Sequence, residues 1–260
     1  MTYNGGRKSV DAPAESAKAQ RKVFWAQLTG FVAITIRVAE SLIIIYQYSS
    51  TISERLGSCP ARLMTMEILD ASYARPLEGG PTYSLANRAF RASWMIAWLL
   101  LASWTPPMLH GWRRRLLRLY GAKIAPTAAI YGSARIWYPP HLEMGRFAVL
   151  GPGVTVYCVE RISLQDYAIV SQGSHLCTAG HDVEDHHFQT VARPITIGRR
   201  AWVAAEAFVG PGVKVGDGAV LGARGCAYRD LDPWMIYGGN PARPLKPRRL
   251  RTPDEARAAE

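Results

Sequence analysis

Residues 197–226 read IGRRAW VAAEAF VGPGVK VGDGAV LGARGC, five hexapeptides in unbroken succession. The first position is aliphatic each time (Ile197, Val203, Val209, Val215, Leu221), the second is Gly or Ala, and the fifth is Ala, Val or Gly. A period of six matches neither a 3.6-residue helix nor the plain alternation of a long strand. It matches a chain that makes one short strand and one corner per repeat. The aliphatic side chain points into a narrow prism, and small residues sit where the backbone turns tightly or stacks on the next coil. Three sides close one coil, and the coils stack into a parallel solenoid with ladder hydrogen bonds running between them.

The rule extends upstream in shifted phase. One block starts at Met144, Leu150 and Val156, the next at Leu164, Val170 and Leu176, and a weaker one at Ile124, Ile130 and Ile136. The blocks begin at Ile124, Met144 and Leu164, so each coil is three hexapeptides plus two extra residues. The repeat breaks after His181, where the polar text DVEDHHFQTVARP precedes Ile195. A loop thrown out of a rigid solenoid makes a wall for a cleft, and such loops often carry function.

Composition sets the frame. With 260 residues and 48% hydrophobic content there is material for a core, which excludes a mainly disordered, collagenous or coiled-coil protein. The four cysteines (Cys59, Cys158, Cys177, Cys226) show no paired short spacing, so neither a zinc knuckle nor a disulfide framework is indicated, and a reduced compartment fits. Residues 1–22 read as a disordered arm. An apolar stretch from Val23 to Tyr48, broken by Arg37 and Glu40, reads as an amphipathic or packed helix. Ser, Gly and Pro punctuation marks 49–81 as a linker, with translation from Met64 or Met66 as an alternative start. The domain reading is therefore an extension over 1–81, a helical lead-in over 82–121, a solenoid over 122–232 with a loop insertion at 181–194, and a closing segment over 233–260.

The net charge of +11 concentrates between Gly79 and Leu142, which hold eight bases and no acid. Within it, the uncharged WMIAWLLLASW (94–104) stops at Pro106-Pro107 and is followed by HGWRRRLLRLY (110–120). An apolar helix next to one bearing Arg113, Arg114, Arg115 and Arg118 predicts a surface anchor on an anionic membrane; a helical cap on the domain behind it is the alternative. Indoles set among leucines, rather than aromatics alternating along a basic sheet, argue against nucleic acid as partner.

Residues from about 82 to 247 resemble the hexapeptide-repeat acyltransferases, in particular the colanic-acid and exopolysaccharide O-acetyltransferases related to galactoside and maltose acetyltransferases. The resemblance is carried by YSLANRAFRASWMIAWLLL (83–101), GWRRRLLRLYGAKI (111–124), ARIWYPPHLEMG (134–145), SQGSHLCTAGHD (171–182), the 194–223 repeat tract and DPWMIYGGNPAR (232–243). It implies a left-handed parallel β-helix, an all-β solenoid preceded by N-terminal helices. It also implies acetyl-CoA as co-substrate, a homotrimer and a saccharide acceptor; a lipid-linked glycan at the inner face of the bacterial cytoplasmic membrane would explain the apolar and basic helical pair. The family's catalytic histidine matches His181, whose neutral imidazole would take the proton from the attacking hydroxyl. Positions matching the family's acetyl-CoA groove are Trp202, Ala205, Ala223, Tyr228, Arg229, Arg243 and Lys246, the three cations suiting nucleotide phosphates. No metal is implied. His175, His186 and His187 have metal-ligand residue types, but a solvated loop lacks the rigid geometry a zinc site needs. The chain departs from the family at Thr155 and Cys158, where relatives often carry Asp and Asn. A free small acceptor, or a non-catalytic scaffold in polysaccharide assembly, are the other readings.

Overall fold

The computed structural model describes residues 68–250, all within the unit Ser53–Glu260. The polar arm, the apolar stretch at 23–48, most of the linker, both candidate start methionines and the tail from residue 251 lie outside the described residues. The prism expected from the six-residue period is present. Three parallel sheets form its sides: a five-stranded sheet opening with Lys123–Ile124, a seven-stranded sheet opening with Ala129–Ile130, and a five-stranded sheet opening with Arg135–Ile136. The register repeats the twenty-residue spacing, with Ile124 opposite Met144 and Met144 opposite Leu164. The first-position side chains point inward; Ile130, Leu150, Val156, Val170, Leu176, Ile197, Val203, Val209 and Leu221 are fully buried. Burying each such side chain stabilises by about 1.5–3 kcal/mol. At one corner Gly218 has φ +66°, and a Cβ there would sit 2.5 Å from the Trp234 ring stacked above it, so only glycine fits.

A stack of parallel strands has two open ends, and each must satisfy its last row of backbone groups. At the far end a hairpin, Met235–Gly238 with Arg243–Pro247, closes the seven-stranded sheet. The near end is covered by two helices, α2 (Leu85–Leu101) and α3 (His110–Leu119), preceded in the chain by the short α1 (Ala71–Ala74). Helix α2 starts at an N-cap, Ser84, whose hydroxyl accepts the Asn87 N–H, and it buries Trp94, Ala97, Trp98 and Leu101 at helical spacing. The Trp94 indole donates to the Ile136 carbonyl at 2.7 Å, and the Trp98 indole to the carbonyls of Gly132 and Ala134.

The arginines of α3 continue this cover. Arg113 Nε donates to Ile130 O at 2.6 Å, Arg114 to Ala128 O at 2.8 Å, and Arg118 to Ile124 O at 2.6 and 2.8 Å. The basic run therefore also serves the fold. Three of its four arginines are spent on carbonyls of the first coil, and Arg113 is fully buried. Arg115 is exposed. Among the described residues no helix is long and apolar enough to cross a membrane.

The described end of the linker is folded against the solenoid. Ile68 bridges Tyr83 in antiparallel fashion, Asp70 caps α1, and the Ala71 N–H donates to Gln189 Oε1 at 2.7 Å. The Gly and Pro residues there mark turns, as their chemistry dictates. Ala71 and Tyr83 supply the buried contacts that the punctuation conceals.

Candidate active site

His181 is the last residue of the strand Ala179–His181, which pairs antiparallel with Thr190–Ala192 in a hairpin standing off the prism. The insertion is thus a β-hairpin with its tip at 182–189. Gln189 anchors it to the N-terminal segment, donating from Nε2 to Leu69 O while accepting from Ala71.

The imidazole is oriented from two sides. Its ring stacks on Phe188 at 4.4 Å and 11°. Its Nδ1 lies 3.0 Å from the Phe188 carbonyl, with Thr190 Oγ1 at 3.5 Å. A carbonyl only accepts, so this contact places the proton on Nδ1 and leaves the Nε2 lone pair free. The ring is exposed at the rim of a cavity of about 140 Å³, whose walls include Thr82, Tyr83, Tyr157 and Gly180.

Behind Tyr83 lies a cluster that sequence reasoning missed. Trp137 packs against Tyr157 at 4.9 Å and against Tyr83 at 6.5 Å. The Arg91 guanidinium stands 4.1 Å over the Trp137 ring and 5.0 Å over that of Tyr83. Burial pushes the Tyr83 phenol well above its ordinary pKa, so it stays a neutral hydroxyl.

The remaining histidines play other parts. His175 meets Phe208 edge-on at 5.6 Å, and burial lowers its pKa, keeping it neutral. Among the described residues no group of three or more His, Cys, Asp or Glu could hold a metal ion. Cys158 is completely buried, donating to Tyr138 O and accepting from Tyr138 N–H, with its thiol pushed up to about 12. It serves the corner rather than the cleft, whereas Thr155 is half-buried beside α2.

The acetyl-CoA candidates fall in two groups. Trp202, Arg243 and Lys246 share the seven-stranded sheet, where Trp202, Val220, Ile236 and Lys246 form one row across four strands. Trp202 is half-exposed and donates to Ser171 Oγ at 2.8 Å. Ala205 and Ala223 occupy successive turns at the corner leading to the next sheet, and Arg224 N–H donates to Ala205 O. Tyr228 and Arg229 follow the strand Cys226–Ala227 at the corner from which, two coils earlier, the His181 hairpin departs. Arg229, Arg243 and Lys246 are all exposed.

Comparison with known proteins adds to this geometry. Over 149 residues the chain is 40% identical to WcaF of Escherichia coli K12, described as a colanic acid biosynthesis acetyltransferase, covering 57% of this chain and 82% of that one. A solved maltose O-acetyltransferase from Clostridium difficile 630 superposes with a TM-score of 0.57 at 21% identity, covering 64% of this chain and 90% of the other. A galactoside acetyltransferase solved with coenzyme A gives 0.57 at 21% identity, over 63% and 83%. These two structures share the solenoid fold. No family model matches the chain. The 40% identity over most of its relative's length, together with the hexapeptide prism, makes the chain a member of the hexapeptide-repeat acyltransferases.

Proposed function

We propose that the protein transfers acetyl from acetyl-CoA to a hydroxyl of a bacterial surface-polysaccharide precursor, with His181 as general base. The observation that carries this is the His181 ring, held by the Phe188 carbonyl in the tautomer a base requires, at the rim of a polar, aromatic cavity. Nε2 takes the hydroxyl proton as the oxygen attacks the thioester carbonyl. The tetrahedral intermediate then collapses, the C–S bond breaks, and the imidazolium returns the proton to the departing thiolate. The acceptor attacks directly, so no side-chain nucleophile is needed. The named role of the 40%-identical relative supports an exopolysaccharide precursor as acceptor.

Trp202, Ala205, Ala223, Tyr228, Arg229, Arg243 and Lys246 hold the co-substrate in this reading. Because Trp202, Arg243 and Lys246 lie on another sheet, and Ala205 and Ala223 at another corner, than His181, the groove is drawn from two copies in a homotrimer. The site faces the inner side of the cytoplasmic membrane, with the apolar outer side of α2 in peripheral contact. Met95, Ile96 and Leu99 are each about 60% exposed there. The full chain should float with phosphatidylglycerol vesicles. With Arg113 buried and Arg115 and Arg118 exposed, raising the salt should weaken that binding in part; a fully soluble chain would remove the contact.

Mass spectrometry of surface polysaccharide from cells with and without the gene tests the function. Loss of an acetyl group in the knockout, restored by the wild-type gene but not by His181→Ala, is the expected result. Unchanged acetylation would overturn the reading.

A further inference from the structure

Phe188 carries the carbonyl that sets the His181 tautomer, and its own backbone is out of the ordinary. Its φ is +56°, in the left-handed region that a bulky side chain enters at a cost of about 1–3 kcal/mol. Relaxation to the extended region would relieve that cost and move the oxygen off Nδ1. The conformation persists only if the surroundings of the hairpin tip impose it.

Two backbone bonds close the tip on itself: the Phe188 N–H donates to Asp185 O at 2.9 Å, and the Asp182 N–H to Gln189 O at 2.9 Å. The Gln189 side chain, next in sequence to Phe188, ties the tip to the body of the protein. Its Oε1 accepts the Ala71 N–H at 2.7 Å, and its Nε2 donates to Leu69 O at 3.3 Å and Thr190 O at 3.1 Å. The segment it grips is itself fixed. The Leu69 N–H donates to Thr82 O at 3.0 Å, and Ile68 bridges Tyr83. Thr82 and Tyr83 then wall the cavity at whose rim His181 stands. One stretch of chain outside the repeat therefore meets the site twice, as a wall of the cavity and as the anchor of the hairpin tip.

We propose that Gln189 is a positioning residue for His181. By pinning the tip to residues 69–71 it holds Phe188 in the left-handed conformation, and so keeps the imidazole proton on Nδ1. This rests on the reading of His181 as the general base and adds the device that keeps the base ready. Which ring nitrogen carries the proton is set by the hydrogen bond made at the other. Released from the Phe188 carbonyl, the ring would hold its proton on Nε2 in many molecules, and those molecules have no lone pair to offer the acceptor. The prism does not depend on the clamp, because the hairpin pairs as a separate two-stranded sheet.

Two variants of the full chain break the clamp from opposite sides. Gln189→Met keeps the length of the side chain and removes its hydrogen bonds. Ala71→Pro removes the N–H that Gln189 accepts, at the first residue of α1, where proline is favoured; Asp70 before it already has the extended backbone that a proline requires. Nitrogen NMR of histidine-labelled protein reads the tautomer, with the His181 signals identified by their loss in His181→Ala. Wild type should show His181 protonated on Nδ1 and bare on Nε2. In both variants the Nε2 signal should move toward the protonated position. Turnover should fall about tenfold to a hundredfold, the scale of a slightly misplaced reacting group. The KM for acetyl-CoA should change far less than kcat, because the co-substrate residues lie elsewhere. A His181 tautomer that stays as in wild type in either folded variant would overturn the proposal, whatever happens to turnover. A tautomer that shifts as expected with turnover unchanged would bear out the clamp and sink the general-base reading alone.

Discussion

Replacing His181 with alanine should reduce acetyl transfer by about two to four orders of magnitude, the usual worth of a positioned general base. The fold should survive. The side chain is exposed, and it lies on a hairpin whose pairing is made by backbone groups and whose tip is tied down by Gln189. Only the stacking on Phe188 and the Nδ1 contact are lost. Thermal unfolding and acetyl-CoA binding should thus match wild type while turnover collapses. Turnover within a factor of a few of wild type would end the assignment. The same variant probes the shared groove. Mixed with Ala205→Trp chains, which carry a bulky block at the proposed co-substrate corner, some interfaces would combine an intact histidine with an intact corner. Activity should partly return. Two inactive parents that stay inactive after verified subunit exchange would place each site within one chain.

The prism was legible because its rule is written in side chains. One aliphatic residue in six points inward, and the twenty-residue offset between blocks is the register of the sheets. His181 was legible for the same reason, since a strict period makes its own interruption conspicuous. What the sequence could not display was backbone need. The first coil presents a row of carbonyls with no strand below them, and that demand leaves no trace in residue types. An acid-free run of arginines consequently read as an attractor for anions, although Arg113, Arg114 and Arg118 face carbonyl oxygens. The aromatic cluster was half legible. Tyr157 lies opposite Cys177 in the twenty-residue register, and Trp137 precedes Tyr157 by the same offset, so their proximity follows from the repeat. Tyr83 and Arg91 join them only through the Ile68–Tyr83 bridge and the docking of α2, which no periodicity announces.

Arg113→Ala should destabilise the protein by about 2–4 kcal/mol, because it leaves several neutral acceptors unpaired at once, each such buried group costing about 1–3 kcal/mol when it finds no other partner. The guanidinium is fully buried and reaches Ile130 O, Thr105 O, Thr105 Oγ1, Pro106 O and Pro107 O, so it joins the turn after α2 to the first coil. Truncation leaves those acceptors facing a cavity. At roughly 2–4 °C per kcal/mol for a chain of this size, the midpoint should fall by about 10 °C. Arg113→Lys should recover only part of this, because an ammonium cannot reproduce the planar fork that serves several carbonyls at once. Arg115→Ala is the internal control. Arg115 carries the same charge two residues along the same helix but is exposed, so its loss should change stability by no more than about 0.5 kcal/mol. Differential scanning calorimetry of the three variants separates the two meanings of the run. If Arg113→Ala and Arg115→Ala unfold at the same temperature, the first coil does not depend on arginine to cover its carbonyls, and the basic helix reverts to the surface charge that its sequence suggests.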